Sequence, residues 1–413
     1  MIHDLPDTLN LRDKHYPALD GLRGIAALMI VAHHSAFSYW LTSTFDKAWL
    51  RATSLLWVGV DLFFVLSGFL ITNILLETRS SPSYFRTFYG RRFVRIFPLY
   101  YGFLAIVYFI IPLFGGDLSQ SIHDSEPWLW TYTTNIYASL IGHMPDHSIS
   151  QAWTLAIEEQ FYLLWPLLLL YIPTRYHLKF VLSLFLAMPL LRALSLGVGA
   201  TPFFVCTITY CRLDGLALGA LLSILMHNGL LERLEKPVWQ RILKKLDWTI
   251  GPLVLGFVLI FCFILRNDQF RFDVLIWPRW LQVIGLSLIT IPLGYGIFRC
   301  VTPGSNLLQR AMSNRPLRWA GKYSYALYVL HAPVVYWAGM HLPVPHFIAA
   351  LPPTWSFVQS VYIIAIQFLL SIGVAVFSWH VLEKHFLKLK KYLPYQPAEP
   401  KKNLEETIVL EAA

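Results

Sequence analysis

LRGIAALMIVAHHSAFSYWL, residues 22–41, decides the fold class. A helix of that length, at about 1.5 Å per residue, covers about 30 Å, the hydrocarbon thickness of a bilayer. Yet the stretch carries Arg23, His33 and His34. At about 100° per residue, the eleven steps from Arg23 to His34 come to roughly 1100°, about 20° past three full turns. Arg23 and His34 therefore share one helix face, roughly 16 Å apart along the axis, with His33 about a quarter-turn away. Ionisable side chains inside a membrane-length segment are costly, and they point to a functional site. The structural alternative is a histidine satisfied by a polar neighbour in a helix bundle.

The rest of the chain agrees. Of 413 residues, 56% are hydrophobic and only 14% charged, with mean hydropathy +0.52. This reads as an all-α, polytopic transmembrane helix bundle. Ten spans are expected, at 22–41, 57–76, 94–114, 151–172, 178–196, 205–226, 248–266, 277–298, 320–340 and 357–382. Residues 1–384 form the membrane domain and 385–413 a charged tail, read as poorly ordered. The polar stretch Met1–Pro17 has no signal-peptide character.

The net charge of +9 does not point to nucleic acid, because of where the charge lies. Basic residues gather at Arg12 and Lys14, at Arg79 to Arg95, at Arg233 to Lys245, at Arg299 to Lys322 and after Lys384, whereas linkers 115–150 and 341–356 contain no Lys or Arg. By the positive-inside bias, both termini are cytoplasmic and the basic excess faces lipid headgroups or an anionic cytosolic substrate.

No metal site or resident cofactor is expected. Cys206, Cys211, Cys262 and Cys300 show no metal-type spacing and read as packing residues. Walker, Rossmann and HExxH patterns are missing. His15 and Asp20 match the HxxxxD spacing of glycerolipid acyltransferases, but ahead of the first span and outside a soluble domain, which marks a chance match. The outer linker 115–150 is rich in aromatics and acids. Within it, Trp128–Leu140 is too short to span and lies at the interface or dips back, as an aromatic anchor or as a carbohydrate-stacking lid.

With this topology, polar residues acquire depths. His34, Glu158 and Glu159 lie roughly 10 Å from the outer face, and Ser67, Arg212, Asp214 and His331 lie between roughly 10 and 16 Å; Asp61 is shallower. Such groups face the bundle interior and one another, as a polar chamber or as structural ion pairs such as Arg212–Asp214. On the cytoplasmic side, Arg92 and Arg95 are spaced i,i+3 and share a face, with Arg91 beside them and Arg23 nearby. Guanidinium forks suit phosphates, although positive-inside anchoring yields the same residues.

Six segments in order resemble the acyltransferase-3 family of integral membrane O-acyltransferases: LDGLRGIAALMIVAHH (19–34), VGVDLFFVLSGFLIT (58–72), RRFVRIFPLYY (91–101), WTLAIEEQFYLLWP (153–166), RLDGLALG (212–219) and KYSYALYVLHAPV (322–334). The resemblance runs from about Tyr16 to Glu383. It implies ten helices and transfer of an acyl group, often acetyl, from cytosolic acyl-CoA to a hydroxyl of a glycan, glycolipid or small acceptor, with acyl-CoA as co-substrate. The family's Arg-x10-His pattern falls on Arg23 and His34, and its Arg-x-x-Arg pattern on Arg92 and Arg95. Some members carry an extracytoplasmic hydrolase-like domain, which is not seen after span ten here.

The expected mechanism has Arg91, Arg92 and Arg95 holding acyl-CoA phosphates and His34 acting as general base. Glu158 or Glu159 orients that histidine or binds acceptor hydroxyls, and Arg23 assists the donor. An acyl-histidine intermediate is the less favoured variant. Asp61, Ser67, Arg212, Asp214, Ser324 and His331 line the acceptor site or tunnel. Tyr323, Tyr325 and Tyr328 read as space-filling or anchoring residues. The competing readings are a proton-coupled transporter, weakened by the lack of an internal repeat, and a purely structural membrane partner. The membrane expected is a bacterial inner membrane.

Overall fold

The structure, a computed structural model, describes residues 16–36, 44–114, 116–249, 278–304, 306–342, 344–349, 352 and 355–394. Among these residues the only regular structure is helical. The elements that build the bundle are α1 (Pro17–Ser35), α2 (Thr44–Thr53), α3 (Val58–Glu77), α4 (Tyr84–Ala105), α5 (Gln120–Trp130), α6 (Thr134–Ile141), α7 (Ala152–Tyr171), α8 (Thr174–Gly197), α9 (Asp214–Leu225), α10 (Arg279–Val301), α11 (Arg315–Lys322), α12 (Ser324–His341) and α13 (Ser356–Ser378).

Six helical stretches among the described residues are long and apolar enough to cross a membrane, and they contain α3, α4, α8, α9, α10 and α13. The chain is a multi-pass membrane protein. Three more of the expected spans are helices of 19, 20 and 18 residues, α1, α7 and α12, too polar to meet the same standard of apolarity. They are also the helices that carry His34, Glu158, Glu159 and His331. The expected span 248–266 lies almost wholly outside the described residues, as do Cys262 and His15.

Two boundaries differ from expectation. Helix α4 starts at Tyr84, ten residues before the apolar run at 94, so Arg91, Arg92 and Arg95 lie within the helix rather than at a linker edge. Hydropathy marks where a helix becomes apolar, not where it begins. The expected span 205–226 is broken: a short helix, Pro202–Thr207, is followed by an interruption before α9 begins at Asp214. Arg212 sits in that break.

Membrane helices gain little from burying apolar surface against one another, so close packing and small residues hold them together. Helices α3 and α9 meet at Gly68 and Gly219. A Cβ on Gly68 would lie 2.0 Å from the Leu216 carbonyl oxygen, and one on Gly219 would lie 2.0 Å from that of Val65. Helices α1 and α11 meet in the same way, at Gly24 and Gly321. Tyrosine hydroxyls satisfy carbonyls across elements: Tyr84 donates to Pro166 O (3.0 Å), Tyr100 to Leu129 O (2.9 Å) and Tyr325 to Ile96 O (2.8 Å).

The linker 115–150 forms α5 and α6 around a turn at Tyr132, the one non-glycine residue with positive φ (53°) among the described residues. Its ring stacks on Tyr100 at 4.2 Å, and Gln160 of α7 holds its carbonyl at 2.9 Å. Trp130 stacks on Tyr101. These aromatics anchor the linker to the bundle. The expected disordered tail also begins in order: residues 384–392 are helical, and Leu393 and Pro394 dock on α4, accepting hydrogen bonds from Arg91 Nε (2.6 Å) and Thr87 (3.2 Å). Residues 395–413 lie outside the described residues.

Candidate active site

Helices α1, α3, α4, α7 and α12 enclose a cavity of about 90 Å³, lined among others by Arg23, Ser67, Arg92, Arg95, Glu158, Glu159 and Ser324. Seven residues singled out from the sequence thus share one chamber. Helix α1 delivers Arg23 from near its start, and the early start of α4 brings Arg92 and Arg95 into the wall. Helix α7, running the opposite way to α4 by its place in the chain, presents Glu158 and Glu159. Ser67 of α3 donates to Glu158 Oε1 at 2.8 Å, and the Tyr162 hydroxyl donates to Ser67 at 3.0 Å.

The arginines are the chemical feature of this chamber. Arg92 lies over the rings of Tyr162 (5.7 Å) and Phe88 (6.0 Å), and its buried Nε has no hydrogen-bond partner. Among the described residues Arg95 makes no hydrogen bond or ion pair. Among the described residues Arg23 makes one long ion pair, 3.6 Å to Asp20. Guanidinium groups in a low-dielectric interior need compensating anions. Two carboxylates share the cavity with three guanidiniums, so the site retains capacity for a further anion. Arg91, expected to act with Arg92 and Arg95, is absent from the lining, and its Nε donates to the Leu393 carbonyl at 2.6 Å.

His34 is not in the cavity lining. It lies at the far end of α1, beside His331 of α12: His34 Nδ1 and His331 Nε2 are 3.3 Å apart and the ring centroids 4.8 Å apart. His33 meets His34 edge-on at 5.3 Å and bonds the Thr53 carbonyl through Nδ1. The neighbour of His34 is therefore His331, where Glu158 or Glu159 was expected. Among the described residues no group of three or more His, Cys, Asp or Glu is arranged to hold a metal ion.

Tyr328 touches both clusters, with Thr154 bonded to its hydroxyl. Both residues line the cavity, and the Tyr328 ring also packs on His331 at 5.9 Å. Thr154 donates to the Gln151 carbonyl at 2.9 Å, so in their shared hydrogen bond Tyr328 is the donor. Tyr328, expected to fill space, thus forms part of a partition between the arginine chamber and the histidines.

Asp61, Arg212 and Asp214 are outside both clusters. The Arg212–Asp214 pairing expected from sequence is replaced by two other pairs: Arg212 with Asp61 (2.9 Å) and Asp214 with Arg192 (3.0 Å). Residues two apart across a helix start point in different directions, and each finds its partner on another helix. Arg192, fully buried, also donates to Val283 O, Cys211 O and Ser287 Oγ at 2.6–2.7 Å, joining α8, α9 and α10. It was missed in the sequence, although an arginine in the middle of an apolar run carries the same signal as His34.

Comparison with known proteins gives these residues a context. Residues 16–379 match the acyltransferase domain family. The chain is 30% identical over 339 residues to peptidoglycan O-acetyltransferase OatA of Listeria monocytogenes, covering 78% of this chain and 50% of that protein. It is 27% identical over 413 residues to O-acetyltransferase OatA of Staphylococcus aureus strain MRSA252, covering 94% of this chain and 60% of that protein. The chain thus spans only part of the length of these curated relatives. No solved structure matches it. With an arginine-lined chamber, a histidine pair behind it and a family match over nearly all of its membrane region, the chain belongs to the acyltransferase domain family.

Proposed function

We propose that this chain is a membrane O-acyltransferase that moves a short acyl group, acetyl in the first instance, from cytosolic acyl-CoA to a hydroxyl of a glycan of the peptidoglycan type. The observation that carries this reading is the set of arginines, Arg23, Arg92 and Arg95, gathered around one cavity with Arg92 and Arg95 making no ion pair among the described residues. Planar guanidiniums pair with phosphates through two parallel hydrogen bonds. The cavity, about 90 Å³, exceeds the roughly 10–15 Å³ needed by one water, which leaves room for a small acyl group.

In this reading the arginines hold the donor from the cytoplasmic side. Glu158 and Glu159 order the polar chamber, Glu158 through Ser67. His34 takes the proton of the acceptor hydroxyl, and the acceptor oxygen attacks the acyl carbon. The carbon–sulfur bond breaks, and the proton passes from His34 to the departing thiolate. Tyr328 must turn aside for donor and histidine to meet, because it stands between them.

The test is mass spectrometry of glycans, glycolipids and secreted metabolites from cells with the gene, without it, and with His34→Ala. A pool gaining the mass of one acyl group only when the gene and His34 are both present is expected. Wild-type ester content in His34→Ala removes the histidine from the chemistry. A compound retained unmodified inside deleted cells turns the reading toward transport.

A further inference from the structure

The hydrogen bonds around the histidine pair determine where its protons sit. A carbonyl oxygen can only accept. His331 Nδ1 lies 3.1 Å from Leu327 O and 2.9 Å from Tyr328 O, so it carries a proton, and in the neutral ring Nε2 then carries the lone pair. His34 Nδ1 lies 3.0 Å from Ile30 O, so it is protonated as well. The 3.3 Å contact between the rings is then the longer arm of a three-centre hydrogen bond, in which the same His34 Nδ1–H is shared between Ile30 O and His331 Nε2. Reversing both tautomers would set lone pairs against three carbonyl oxygens. With both rings neutral, this assignment leaves the His34 Nε2 lone pair without a partner among the described residues. His34 is partly exposed, whereas His331 is 1% exposed.

We infer that His331 is the positioning residue for His34, doing with a buried neutral imidazole what a carboxylate does behind the histidine of a catalytic triad. This rests on the reading of His34 as general base. When Nε2 of His34 takes the acceptor proton, the ring becomes a cation and its Nδ1–H a stronger donor, and the waiting lone pair of His331 stabilises it. The two carbonyls on His331 Nδ1 hold that ring in place and enrich its far nitrogen. A buried carboxylate would pull harder on the proton, but at greater desolvation cost without a compensating cation. Glu158 lines the chamber on the other side of Tyr328 and is committed to Ser67, so it is not placed for this task.

The experiment compares His331→Phe, His331→Gln and His331→Asn in the cells described above, reading the rate of ester formation per inserted protein. Phenylalanine keeps the ring and removes the acceptor. The glutamine side-chain oxygen reaches the position of Nε2, and that of asparagine falls short. The expected result is a loss of about 100-fold for Phe and Asn, within the roughly 10²–10⁴ that a positioned general base supplies, with recovery to within about tenfold in Gln. Phe at the wild-type rate, or Gln no better than Asn, overturns the role of His331. Should Phe fail to insert, the Gln–Asn comparison decides alone. An active His34→Ala protein overturns the base assignment itself, an outcome distinct from failure of the His331 series in an enzyme that needs His34.

Discussion

Arg92→Gln separates two uses of a buried arginine. If the residue held the bundle together, its loss would lower stability. Its direct contacts are two cation–π contacts, at 5.7 and 6.0 Å, each about 0.5–1 kcal/mol, while its attraction to Glu158 and Glu159 is opposed by repulsion from Arg23 and Arg95. Against that stands a buried Nε–H without a partner, a cost of about 1–3 kcal/mol that the substitution removes. Unliganded stability should therefore lie between a loss of about 1 kcal/mol and a gain of about 2 kcal/mol. Donor binding behaves differently. A hydrogen bond to a charged group contributes about 1.5–3 kcal/mol, which at about 1.4 kcal/mol per decade raises KM for acetyl-CoA by about 10- to 150-fold. The assay is thermal unfolding of purified protein in lipid nanodiscs, with and without CoA, beside initial rates against acetyl-CoA. The exposed Arg315→Gln serves as control, since a general basic-surface effect would move both variants. Marked destabilisation of Arg92→Gln with an unchanged requirement for acetyl-CoA would refute the reasoning and return the arginine to a structural role.

Other outcomes follow from the packing and the polar pairs. Arg192→Met leaves Asp214 buried without its cation and should cost about 3–5 kcal/mol in denaturant unfolding, with much of the loss recovered in Arg192→Met/Asp214→Leu; equal losses in single and double variants would contradict the pairing. Gly219→Val forces a Cβ toward a backbone oxygen 2.0 Å away and should abolish the monodisperse peak on size exclusion, whereas Gly373→Ala, with open space around it, should leave that peak intact. Tyr328→Phe removes the bond to Thr154 and should raise acceptor-independent release of CoA relative to transfer, measured as free thiol against ester; an unchanged ratio argues against the partition.

Much of this was legible in the chain. Alternating apolar runs reveal the membrane class. The spacing of Arg23 and His34 selects the helix that joins chamber and histidines, and the i,i+3 pair Arg92–Arg95 selects the arginine wall. Where the reading stopped, the cause was physical. Hydropathy placed the start of α4 late, because its first turns are polar, and so put the arginines at an edge instead of in the wall. The partners of Arg212 and Asp214 come from helices distant in sequence, and no local spacing encodes Asp61 at 2.9 Å or Arg192 at 3.0 Å. Tyr328 looked like one more aromatic because its role depends on what lies to either side of it.

That partition bears on fidelity. An acyltransferase competes with water, and an acyl group passed to water is simply wasted donor. Tyr328, held by Thr154, lines the arginine chamber and packs on the buried His331, which lies beside the partly exposed His34. On the proposed function, while it stays in place water that reaches His34 meets no thioester, and a thioester among the arginines meets no activated water. Excluding water in this way suppresses the side reaction without altering the chemistry of either cluster. On that reading, the difference between a transferase and a thioesterase comes down to when one aromatic ring moves.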